Sequence, residues 1–143
     1  MAYASYQDLV ARFGETEILR LATPDGQLDG EADLARVQLA VNDATSMIES
    51  YIRRRYVTPL NPVPPEIRAA CCTLARFNLA QGEGRLPTEQ MKEGRSEAIK
   101  WLQGIARGEG ALDAADPIAA ASAFARTADR PALFDPRDPG GLL

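Results

Sequence analysis

A chain of 143 residues with 45% hydrophobic side chains has material for one domain with a modest core, and it is too apolar to be disordered throughout. Its formal charge of −4 argues against a general nucleic-acid binder, and the lack of any histidine excludes nucleophile–His catalysis and His-containing metal sites. No apolar run approaches the roughly 20 residues that span a bilayer, and no basic stretch followed by an apolar run opens the chain, so a protein without a signal peptide, made in a cytoplasm, is expected.

The spacing predicts an all-α fold, a small bundle of about five helices. Ser5 caps a first helix through Phe13, with Asp8 at the third helical position and Gly14 as its stop. Tyr6, Leu9, Val10 and Phe13 form its apolar stripe, and Glu15 to Leu21 reads as a second short helix. Pro24-Asp25-Gly26 then makes a turn in a polar loop. The main helix is expected from Glu31 to Tyr56, with Leu34, Val37, Val41, Ala44, Ile48 and Tyr51 on one face. Its last turn carries Arg53, Arg54 and Arg55, where cations suit the negative end of the helix dipole.

Thr58 to Pro64 reads as a stiff extended connector, because each proline biases the residue before it away from helix. Pro64 and Pro65 suit the first positions of a fourth helix, which runs to about Ala80 with Ile67, Ala70, Cys71, Leu74 and Phe77 inward. Gln81 to Arg85 is a loop. A fifth helix starts at Pro87 or Thr88, buries Met91, Ala98, Trp101, Leu102 and Ile105, and closes at Gly108 and Gly110.

The sequence divides at 110. Residues 1–110 are the bundle, and 111–143 differ in kind: ten of those 33 residues are alanine, and Pro117, Pro131, Pro136 and Pro139 interrupt them. A short helix from Pro117 to about Arg126 is predicted, followed by a stretch too rich in proline for any helix. Phe124, Leu133, Phe134, Leu142 and Leu143 are apolar anchors that such an arm cannot bury against itself, so docking on another chain is expected, with Arg126, Arg130 and Arg137 beside them.

Other motifs reduce to ordinary structure. Asp25, Gln27, Asp29, Gly30, Glu31 and Asp33 mimic part of a calcium loop, but Arg36 stands where the bidentate carboxylate belongs. Gly82-Glu83-Gly84-Arg85 lacks the Gly-Lys-Ser/Thr ending and preceding strand of a phosphate loop. Glu15/Glu17 and Glu89/Glu93 read as solvated carboxylates, and adjacent Cys71 and Cys72 as small buried hydrophobes. No catalytic residue, cofactor site or metal site is predicted.

One ordered set of segments is distinctive. It begins with Tyr6-Gln7-Asp8-Leu9-Val10-Ala11-Arg12-Phe13-Gly14, then has Ile52-Arg53-Arg54-Arg55-Tyr56, Pro59-Leu60 and Val63-Pro64-Pro65. Cys72 to Arg76, Ala98-Ile99-Lys100-Trp101-Leu102 and Ile105-Ala106-Arg107-Gly108 complete it. Over residues 3–112 this layout resembles the Mu-type phage head–tail connector family. The resemblance implies a head-completion adaptor in the virion, made in the host bacterial cytoplasm, that rings the underside of the portal in about twelve copies. It implies as partners the portal protein, neighbouring copies and a tail or stopper protein, with DNA passing through without sequence recognition during packaging and ejection, and no membrane. The residues themselves leave a second reading open, a small helical nucleic-acid-binding or regulatory domain that uses Arg53, Arg54 and Arg55.

Overall fold

Ser5 opens the first helix by a reciprocal cap, its hydroxyl accepting from the Asp8 N–H while Asp8 accepts from the Ser5 N–H. The computed structural model describes residues 2–23, 31–82, 84–113 and 115–118. Five helices lie among them: α1 (Tyr6–Phe13), α2 (Glu15–Ala22), α3 (Leu34–Ile52), α4 (Pro65–Ala80) and α5 (Glu89–Arg107). No strand accompanies them among the described residues, only two isolated bridge pairs. The fold is the expected all-α bundle.

Each boundary has a local cause. Gly14, at φ +96°, ends α1 and caps α2, a backbone state that a Cβ disfavours. Pro64 and Pro65 start α4 as predicted, and Thr88 caps α5 by accepting from the Met91 N–H. Gly108 ends α5 in the left-handed region.

The long helix is shorter than its periodicity suggests. Asp33 caps it by accepting from the Arg36 N–H, so it begins at Leu34 rather than Glu31, and it stops at Ile52 rather than Tyr56. Arg53 to Arg55 form a turn beyond its end, because Tyr56 and Val57 are extended and paired with residues 116–118. Two stripe positions differ accordingly. Leu34 is 60% exposed, since it precedes the turn at which Arg36 reaches the end of α4 through the Leu79 carbonyl. At the other end Ile52, not Tyr51, completes the buried face.

Helices α3, α4 and α5 pack against one another, and the α1–α2 pair lies across α3 and α4. Val41, Ile48 and Ile52 meet Ile67, Cys71 and Leu74, and Leu102 and Ile105 close the third side. Each such side chain contributes about 1.5–3 kcal/mol on burial. Phe77, expected inside, is half-buried beneath the Arg95 guanidinium, 4.9 Å from its ring centre. Trp101 packs against the core while partly exposed.

Glu17, which reads in the sequence as simply solvated, is instead the partner of Arg76 across α2 and α4. The guanidinium donates to both carboxylate oxygens, Nη2 to Oε1 at 3.0 Å, and lies 4.5 Å from the Phe13 ring centre. Its side chain is only 15% exposed. The two cysteines are free and buried, and burial pushes the Cys71 thiol up to about 11 and raises Cys72 as well.

Arg76→Ala is expected to lower unfolding free energy by about 1–3 kcal/mol in urea titration, with Arg76→Lys recovering only part, because an ammonium cannot hold both oxygens in the fork. The thiols carry a pH signature. Because the folded Cys71 value lies above its ordinary value of 9.0, the stability it contributes is complete below pH 9 and is lost as pH rises toward 11. Denaturant midpoints should therefore fall across that window, and Cys71→Ser should flatten the fall.

Candidate functional site at the elbow

The joint between α3 and α4 is where distant parts of the chain converge. Its connector is poor in regular hydrogen bonding, so buried backbone groups need partners from elsewhere. Tyr3, 1% exposed, supplies one. Its hydroxyl accepts from the Leu60 N–H at 2.9 Å and donates to Glu49 Oε2 at 2.6 Å, while its own N–H donates to Thr45 Oγ1 at 3.1 Å. Burial, with the Glu49 hydrogen bond adding to it, raises the Tyr3 phenol above its ordinary range, so the hydroxyl stays protonated. The Thr58–Pro59 and Asn61–Pro62 bonds are both cis.

Arg55 serves the other side of the joint. Its Nη1 donates to the Ile105 carbonyl at 2.9 Å and to the Gly110 carbonyl at 3.3 Å. Those carbonyls belong to the last turn of α5, where the Ile105 carbonyl also accepts from the Gly108 N–H, and to the turn after it. Tyr56 is buried, and its hydroxyl accepts from the Leu112 N–H at 2.9 Å. Next, Val57 N–H donates to the Asp116 carbonyl and Ile118 N–H to the Arg55 carbonyl, each at 2.8 Å. Tyr56 and Pro117 thus form an antiparallel bridge, and Leu112 is buried in the core beneath it.

The described part of the segment after 110 is therefore strapped to the elbow. Pro117, predicted to start a helix, is held in this extended pairing instead; the rest of that helix lies outside the described residues. Phe124, Arg126, Arg130, Leu133, Phe134, Arg137, Leu142 and Leu143 also lie outside the described residues, as do Asp25, Gln27, Asp29 and Gly30.

The arginine triplet divides in two. Arg55 is half-buried and engaged with carbonyls, whereas Arg53 and Arg54 are exposed. Arg53 Nε donates to the Glu49 carbonyl at 3.2 Å, and Arg54 has no hydrogen-bond or ion-pair partner among the described residues. Two residues that sequence reasoning passed over organise the site: Tyr3, whose only signal is a lone aromatic before the first cap, and Leu112. Among the described residues no group of three His, Cys, Asp or Glu side chains is placed to hold a metal ion, and no helix is long and apolar enough to cross a membrane.

The fold and joint together define a small helical bundle with the described part of its C-terminal segment strapped to a proline-rich elbow. The description "Bacteriophage Mu, Gp36" matches residues 3–128, and the chain belongs to that family of phage proteins. It is 34% identical over 109 residues to "Gene product J" of Escherichia phage Mu, covering 76% of this chain and 74% of that protein. It is also 32% identical over 115 residues to the Mu-like prophage FluMu protein gp36 of Haemophilus influenzae, covering 80% and 77%.

Tyr56→Phe should leave the buried Leu112 N–H without an acceptor at a cost of about 1–3 kcal/mol. Hydrogen exchange should then accelerate selectively at Leu112, Val57 and Ile118, with the centres of α3 and α4 still protected.

Proposed function

We propose that this chain is a structural head–tail connector that rings the underside of the portal and joins the capsid vertex to the tail, leaving a channel for DNA. It acts by binding and positioning, and catalyses nothing. Support comes from membership of the phage Mu Gp36 family and from the distinctive connector-like segments at the elbow. The observation that carries the reading is the grip of Arg55, Tyr56 and Val57 on residues 105–118. That grip holds residues 115–118 against the elbow, directly before the residues proposed as the docking arm. A rigid bundle with a launched terminal segment suits a part that spans two neighbours.

The affinity follows from copy number. One arm that buries two or three of Phe124, Leu133, Phe134, Leu142 and Leu143 gains about 1.5–3 kcal/mol for each, less the cost of ordering. Many arms engaged on one symmetric partner turn that weak contact into a lasting one. DNA passes without sequence recognition, and acidic side chains dominating the lumen would repel its phosphates, in keeping with the net charge of −4. The rival nucleic-acid-binding reading loses force here, because half-buried Arg55 gives its Nη1 donors to carbonyls inside the molecule and, of the triplet, Arg53 and Arg54 are the exposed members.

The test is co-sedimentation with portal-bearing phage heads. The full chain should travel with them, and a chain lacking residues 128–143 should not, although its circular dichroism matches the parent. A truncated chain that still co-sediments removes the arm from the mechanism. Retention on duplex DNA with steep salt dependence, in place of binding to heads, would favour the rival.

A further inference from the structure

Two surface patches complement each other. The first is a shallow groove of about 430 Å³ between α4 and α5. Phe77 and Ile99 give it an apolar floor, and Lys92, Arg95 and Lys100 line it with cations; no acidic side chain lines it. Arg95 lies over Phe77, Lys92 meets only the exposed Glu89 at 3.3 Å, and Lys100 has no hydrogen-bond or ion-pair partner among the described residues.

The second patch lies on the other flank of α4, against α3. Leu39 is 62% exposed beside a recess of about 160 Å³ that Arg36 and Asp43 also line; Arg36 Nη2 donates to the Leu79 carbonyl at 3.4 Å, and Asp43 lies one helical turn beyond Leu39. Asp43 is exposed and has no hydrogen-bond or ion-pair partner among the described residues. The two flanks are set by neighbouring positions on α4: Phe77 lines the α5 groove, while Asn78 donates to the Ala40 carbonyl of α3 at 3.1 Å.

We propose that the Leu39–Asp43 surface of one copy seats against the Phe77–Ile99 groove of the next, with Asp43 against its cationic lining. This rests on the ring reading above and names its subunit contact. The partner is a second copy because each copy carries both halves, an exposed leucine with an unpaired anion one turn away and an apolar floor with cations. Using different patches, the contact is head-to-tail, so every bound copy still offers one free half and the series closes only as a ring. Duplex DNA is the poorer occupant: its phosphates need spread cations, not an apolar floor between them.

Sedimentation of the full chain over a concentration series tests the contact. Asp43→Lys alone, and the paired Lys92→Glu and Lys100→Glu alone, should each weaken self-association about tenfold or more by placing like charges together. All three substitutions in one chain should restore it. These side chains are exposed, so circular dichroism should not change. Reversals that assemble like the parent, or a triple variant no better than the weaker reversal, overturn the contact while a parent that assembles keeps the ring. A parent that stays monomeric both alone and on phage heads sinks the ring reading and this contact with it. Loss of duplex-DNA retention in the paired lysine variant, with self-association intact, reassigns the groove and overturns the proposal.

Discussion

One guanidinium ties the end of the last helix to the joint between the two central ones. Arg55 gives its Nη1 protons to carbonyls at 105 and 110, and its own carbonyl takes the Ile118 N–H. A charged donor is the right group for this place. Several carbonyl dipoles at a helix C-terminus point the same way, so a cation gains from all of them and a neutral donor from one. A hydrogen bond to a charged group contributes about 1.5–3 kcal/mol against about 0.5–1.5 for a neutral pair, enough to decide which conformation a short irregular segment takes.

The tyrosines extend the same logic to the rest of the joint. A connector rich in proline has few N–H groups to offer and no ladder in which to place those it has. The Leu60 and Leu112 N–H groups are both buried, and a phenol oxygen meets each, from Tyr3 and Tyr56. A tyrosine suits this task because its ring packs as core while its hydroxyl satisfies a polar group deep inside. As a result the start of the chain, the elbow and the segment after α5 are locked into one unit around residues 52–60.

The helices were legible because their signals are local. Ser5 with Asp8, Gly14, Pro64-Pro65, Thr88 and Gly108 each act within one turn, so the sequence shows them directly. The errors fall where a distant segment overrides a local preference. Arg53 to Tyr56 have reasonable helical propensity, yet pairing with residues 116–118 draws the chain out of the helix at Ile52. Arg76 and Glu17 stand 59 positions apart, and nothing in their spacing marks them as a pair. Splitting the arginine triplet likewise required knowing that the end of α5 comes home to Arg55.

The strap also bears on what a terminal segment gains from being held. Holding residues 111–118 shortens the length beyond the anchor from 33 (143 − 110) to 25 (143 − 118) residues. Even for a free tether, that raises effective concentration by only about 1.5-fold, since it falls roughly as the −3/2 power of length. For the proposed arm, proximity would therefore not be the main benefit; direction would. Residues 116–118 run antiparallel to residues 55–57 in a pairing fixed to the bundle. In the proposed ring of identical copies, a fixed root would repeat by symmetry, so every arm would start toward the same face of the assembly. A root free to rotate would scatter them, and the entropy of choosing a side would fall on each binding event. On the proposed reading, the elbow would settle that choice once, during folding.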